Sequence, residues 1–68
     1  MKGCVNTLFG KRVAELRRAK GLSQEVFADK CGIHRTYIGA VERGEKSPTL
    51  NTVAKIADAL GITIKELF

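Results

Sequence analysis

Tryptophan is absent from this sequence, proline and histidine occur once each, and cysteine occurs twice. Each shortage removes a class of protein. With Pro48 alone and no low-complexity stretch, an extended disordered chain is excluded beyond the first few residues. Cys4 and Cys31 do not form a CxxC spacing, and His34 has no second histidine. One chain therefore cannot assemble the four ligands of a structural zinc site. The two thiols read as free, in a reducing compartment. Long apolar runs are also missing; none approaches the roughly 20 residues that a membrane span needs. The opening Met1-Lys2-Gly3-Cys4-Val5 lacks the apolar core of a signal peptide. A cytoplasmic location and no membrane partner are expected. Catalytic pairings are equally scarce: no nucleophile stands beside a base by motif, and neither Asp58 nor Glu66 has an acid–base partner. The chain reads as a non-enzyme without metal or cofactor.

What is present is positive charge. Twelve Lys and Arg against seven Asp and Glu leave a net charge of +5 and a pI near 9.6, a balance that favours a polyanionic partner. The 68 residues allow a single domain, 1–68, with residues 1–5 expected to be flexible. A domain of this size buries only about 60% of its unfolded surface. Its stability is marginal, and a partner chain would help.

Gly21, Gly32, Gly44 and Gly61 each close a segment of apolar periodicity, and no stretch alternates with period two. An all-α fold of five short helices follows. The first is expected from about Thr7 to Lys20, capped by Asn6 or Thr7, with Leu8, Phe9, Val13, Leu16 and Ala19 near one face. Gly10, inside it, suggests close packing. Ser23 caps a second helix ending near Cys31, with Phe27, Ala28 and Cys31 inward. Only Gly32-Ile33-His34 separate it from a third, Arg35 to Arg43, with His34 in the cap place. That spacing forces a sharp corner. The third helix turns Ile38 and Val41 inward and exposes Arg35, Thr36, Gly39, Ala40 and Arg43, with Tyr37 at the margin. The exposed glycine is explained by close approach of a ligand. Thr49 caps a fourth helix whose stripe is Leu50, Val53, Ala54, Ala57 and Leu60, with Ile56 beside it. Thr63 and Glu66 fit a capping box for a last turn from Ile64 to Phe68.

The stretch Gln24–Arg43, QEVFADKCGIHRTYIGAVER, sets a small Ala28, a turn Gly32 and two anchors, Ile38 and Val41, at spacings that hold one helix rigidly with its other face outward. Together with Leu16-Arg17, Gly21-Leu22-Ser23-Gln24, Glu42-Arg43-Gly44, Ser47-Pro48-Thr49-Leu50, Ile56-Ala57 and Ala59-Leu60-Gly61-Ile62, it resembles the phage Cro/C1-repressor (XRE) helix-turn-helix family over about Leu8 to Leu67. Val26, usually polar in that family, and Cys31, usually aliphatic, depart from the pattern. The resemblance implies a five-helix, lambda-repressor-like DNA-binding domain, and a transcription regulator that binds a palindromic operator on double-stranded DNA. The compact size and the run His34 to Ile38 resemble controller proteins of restriction–modification systems. Phage repressors, antitoxins and protein-interaction modules share the frame.

The resemblance implies base contacts from Arg35, Thr36, Tyr37 and Ala40, at the part of the recognition helix that meets the major groove. It implies phosphate contacts from Gln24, His34, Arg43, Lys46 and Asn51, and a structural ion pair of Arg17 with Glu42. Half-sites about 34 Å apart call for a homodimer. Its expected interface is the apolar C-terminal set Ile56, Leu60, Ile62, Ile64, Leu67 and Phe68. RNA polymerase is a further candidate partner.

Overall fold

The computed structural model describes residues 4–68, with the backbone alone at Cys4. Five helices follow one another: α1 (Cys4–Ala19), α2 (Gln24–Cys31), α3 (Arg35–Glu42), α4 (Leu50–Leu60) and α5 (Ile64–Leu67), with no strand among the described residues. The limits of α2 to α5 are written locally, by side chains that satisfy the orphan N–H groups of each first turn. Ser23 accepts from the Val26 N–H, His34 from Thr36, Thr49 from Thr52 and Thr63 from Glu66. The capping box at Thr63 and Glu66 is complete, the carboxylate accepting from the Thr63 N–H at 2.9 Å. Those hydrogen bonds hold the Glu66 carboxyl below the usual carboxylate range. They let a helix of one turn persist once Leu67 is buried.

The first helix departs from expectation. It begins at Cys4, so Asn6 and Thr7 lie inside it and residues 4 and 5, expected to be flexible, are helical. Residues 1–3, expected to be flexible too, lie outside the described residues. A tertiary contact explains the early start: Thr7 packs on the turn that follows α3, where a Cβ on Gly44 would stand 2.7 Å from the Thr7 Oγ1. The inward stripe of α1 also shifts. Phe9, Val13, Ala14 and Arg17 are buried, whereas Leu8 and Ala19 face solvent. The stripe follows contact with α3 and takes in Gly10, which hydropathy alone does not select. A Cβ on Gly10 would lie within 2.7 Å of the carbonyl oxygens of Val41 and Glu42, so the two backbones cross in near-direct contact there. In α4 the core takes Val53, Ile56, Ala57 and Leu60, while Leu50 and Ala54, expected inward, are exposed. Leu50, in the first turn, carries the stripe past the end of the core.

Phe27, Ile38, Ile56, Leu60, Leu67, Val13 and Val41 are the largest fully enclosed side chains, drawn from all five helices. Cys31 joins them, and burial pushes its thiol up to about 11, which removes its thiolate at neutral pH. One charged network crosses this core. Arg17, on α1, donates through Nε to Glu42 Oε2 at 2.7 Å and through Nη2 to Oε1 at 3.0 Å. Its Nη1 donates to the Leu22 carbonyl at 2.7 Å, and Gln24 Nε2 donates to Glu42 Oε1 at 2.9 Å. The Arg17 and Glu42 side chains keep 8% and 5% of their accessibility, so neither can rely on water. Among the described residues, no buried side-chain polar atom is left without a partner.

Two outcomes follow. Gly10→Ala gains helix propensity of about 1 kcal/mol. It nevertheless lowers unfolding stability in urea by about 1–3 kcal/mol, because the added methyl meets backbone that cannot move aside. Unchanged or raised stability would contradict the crossing. Arg17→Met alone costs about 3–5 kcal/mol by orphaning a buried carboxylate, whereas the double variant Arg17→Met/Glu42→Leu recovers most of it. Equal losses in the single and double variants would show that the penalty is not that of an unpaired charge.

Candidate nucleic-acid interface

The corner between α2 and α3 is made by Gly32, whose φ of +70° suits the left-handed C-cap, and by Ile33, packed against the core. The next residue, His34, caps α3: its Nδ1 accepts the Thr36 N–H at 3.1 Å. With Nδ1 accepting, the ring carries its proton on Nε2, an unused donor on an exposed side chain. Arg35 and Thr36 follow in the first turn, both exposed, and Tyr37 is half-buried against the core. Beyond the turn after α3, Lys46 and Asn51 are exposed as well. These groups come from the cap and first turn of α3, the loop that follows it and the first turn of α4.

The middle of α3 is not the open strip that the sequence suggested. Ile38, Gly39, Ala40 and Val41 are all buried. Ala40, expected to touch bases, is 8% exposed and is not available to a duplex in this structure. A methyl group on an eight-residue helix wedged between α1 and α2 is overtopped by its neighbours. Gly39 has a different cover. A Cβ there would stand 3.2 Å from Arg43 Nη1 and 3.7 Å from Gln24 Oε1, so the two side chains lie across the glycine. The glycine makes room for the protein's own polar side chains.

Two of the expected phosphate contacts already have partners. The Gln24 amide is bonded to Glu42. Arg43 donates through Nε to Glu45 Oε2 at 2.9 Å and through Nη2 to Oε1 at 3.1 Å. The pair raises the guanidinium pKa and lowers that of the Glu45 carboxyl, chiefly through these hydrogen bonds. Sequence reading missed Glu45. An Arg and a Glu two residues apart do not face each other on a helix, and only the turn after Glu42 brings them together.

The expected dimer surface separates into two groups. Ile56, Leu60 and Leu67 are at most 1% exposed and belong to the monomer core, where the stripes of α4 and α5 close on α1 and α2. They are not available to a second chain. Ile62 is half-buried, whereas Ile64 and Phe68 are exposed. Phe68 stacks on Phe9 with ring centroids 5.3 Å apart. Beside it Val5 and Leu8, 71% and 67% exposed, line an open apolar groove of about 460 Å³ with Lys11, Arg12 and Glu15 at its rim. Val5 and Leu8 escaped sequence reading because one fell in the segment taken as flexible and the other was placed in the core.

Comparison with known proteins agrees with this geometry. A family model described as helix-turn-helix matches residues 13–67. The control protein C.BamHI of Bacillus amyloliquefaciens is 41% identical over 68 residues, covering 98% of this chain and 84% of that protein. The crystal structure of the restriction–modification controller protein C.AhdI from Aeromonas hydrophila superposes with a TM-score of 0.91 at 49% identity, covering 93% of this chain and 96% of that one. SinR, a master regulator for biofilm formation whose crystal structure is in complex with DNA, superposes at 0.82 with 27% identity, covering 87% and 95%. The all-helical architecture, the capped corner between α2 and α3 and these matches agree: the chain belongs to the helix-turn-helix family, of the Cro/C1 (XRE) type.

Proposed function

We propose that this chain is a sequence-specific DNA-binding transcription regulator that controls a restriction–modification operon and binds a palindromic operator as a homodimer. One observation carries the reading. Arg35 and Thr36 stand exposed in the first turn of a helix whose remaining length is locked into the core. A rigid helix that offers its N-terminal side chains is what the major groove accepts. Arg35 donates two hydrogen bonds to guanine O6 and N7, and Thr36 meets a base edge or a thymine methyl. Tyr37 lies at the edge of that contact. His34 through Nε2, Lys46, Asn51, Arg43 and the free N–H of Gln24 face phosphates on either side and fix the register. The net charge of +5 supplies the attraction. The similarity to named control proteins supports the restriction–modification setting.

The homodimer rests on the size of the domain, which covers too few base pairs for selective binding by itself. Ile62, Ile64 and Phe68, together with Val5 and Leu8, supply the apolar surface that a second copy would cover. Where such an operator lies beside a promoter, RNA polymerase is the further partner.

Three measurements test this reading. Affinity for duplex falls steeply with salt, the logarithmic slope being about −0.9 for each phosphate neutralised. A flat response would favour a protein-interaction module. Arg35→Ala costs about 1–3 kcal/mol in operator binding and relaxes preference at one base position per half-site. Lys46→Ala weakens all sequences alike and reduces the salt slope by about one unit. An unchanged preferred sequence in Arg35→Ala would remove Arg35 from the recognition role.

A further inference from the structure

The Arg43–Glu45 pair has no structural work to do. Both side chains are more than half exposed, and the pair ties no distant elements together. What it does is set an orientation. Glu45 takes the guanidinium side-on, through Nε and Nη2, and leaves Nη1 and the second Nη2 proton unused. Those two form the end-on fork. The fork is not held out over the loop: Nη1 lies against Gly39, one helical turn back along α3. The missing Cβ at Gly39 gives it that place, and Gln24 closes the other side of the same glycine.

We infer that Glu45 is a positioning residue that holds Arg43 across Gly39, so that Arg43 reads a guanine O6/N7 edge as a second specificity-determining residue beside Arg35. The inference rests on the duplex-binding reading above and revises one part of it, the assignment of Arg43 to phosphate. A guanidinium free to rotate at the end of its stem serves a phosphate well, since any approach brings an oxygen. A guanidinium fixed in plane by a carboxylate on its back edge, with its open edge over the middle of the recognition helix, is matched to a planar pair of acceptors. The hydrogen bonds from Arg43 also lower the Glu45 carboxyl from its ordinary value, which favours the charged form that the pairing needs. Gly39 completes the arrangement: a methyl there would stand 3.2 Å from Nη1 and press it a few tenths of an ångström away.

The test uses duplexes selected from a randomised pool by the wild-type protein, with each base pair then varied. Arg43→Ala is expected to lose discrimination on the order of tenfold at one guanine position distinct from the one assigned to Arg35. Replacing that guanine by 7-deazaguanine should weaken the wild type and leave Arg43→Ala unaffected. Glu45→Gln removes a negative charge facing the duplex, so affinity for unrelated sequence rises or stays level. Discrimination at the same guanine nevertheless falls severalfold. A purely electrostatic role for Glu45 cannot give that opposition of signs. Gly39→Ala, which crowds only a flexible side-chain end, loses discrimination at the same position. The inference is overturned if Arg43→Ala lowers the salt slope and weakens all sequences alike, or responds only to methylphosphonate substitution, since Arg43 would then be a phosphate clamp. It is overturned equally if Glu45→Gln leaves discrimination intact. A wild-type protein that selects no duplex would overturn the duplex-binding reading itself, and this inference with it.

Discussion

The bidentate contact between Arg17 and Glu42 fixes where the third helix sits. Glu42 occupies the last turn of α3, where a carboxylate meets the negative end of the helix dipole. It is also almost fully removed from water. Without a guanidinium against it, that position would be strongly unfavourable. Arg17 supplies the charge from α1, and its third contact, to the Leu22 carbonyl, draws in the loop before α2. Gln24 adds the first turn of α2 to the same carboxylate. Three helices and a loop thus converge on one ion pair. The Gly10 crossing lies beside it, because one of the two carbonyls it approaches belongs to Glu42 itself. A buried ion pair contributes little net stability compared with an apolar replacement. Its value here lies in the rotation it imposes on α3, which decides that Arg35 and Thr36 face outward while Ile38 and Val41 face in.

How far the sequence disclosed this depends on the range of each interaction. The caps at Ser23, His34, Thr49 and Thr63 act on N–H groups at most three residues away, so helix limits from α2 onward are legible from neighbouring residues. Glycine C-caps at Gly32 and Gly61 are legible for the same reason. The start of α1 is not. It depends on Thr7 meeting the turn at Gly44, a contact between segments far apart in the chain. The placement of Leu8 and Leu50 in the core fails similarly: hydropathy marks a residue as apolar, but only the neighbouring helices decide which apolar residues are covered. Ala40 and Gly39 show the converse, since small residues on the presumed outer face are covered by longer side chains.

The interface is consequently narrower than a helical wheel suggests. In the proposed reading, direct access to bases falls to the first turn of α3 and to side chains that fold back along it. The flanking polar groups belong to other elements, His34 before the helix and Lys46 and Asn51 after it. The same restriction applies to the apolar surface. Core burial removes Ile56, Leu60 and Leu67 from any subunit contact and leaves the apolar surface around Phe68, Val5 and Leu8. In the proposed reading, the duplex and a second copy meet only the side chains that the core leaves exposed, Val5, Leu8, Ile64 and Phe68 among them.

In the proposed reading the duplex meets the face built by α3 and its flanks. Amide and side-chain NMR shifts of the full chain, recorded during titration with a selected duplex, test it most directly. The largest changes are expected at Gln24, His34 through Tyr37, Arg43, Lys46 and Asn51, with the Arg17 guanidinium resonances nearly still. Changes centred on Val5, Leu8 and Phe68, with Arg35 and Thr36 unmoved, would contradict it.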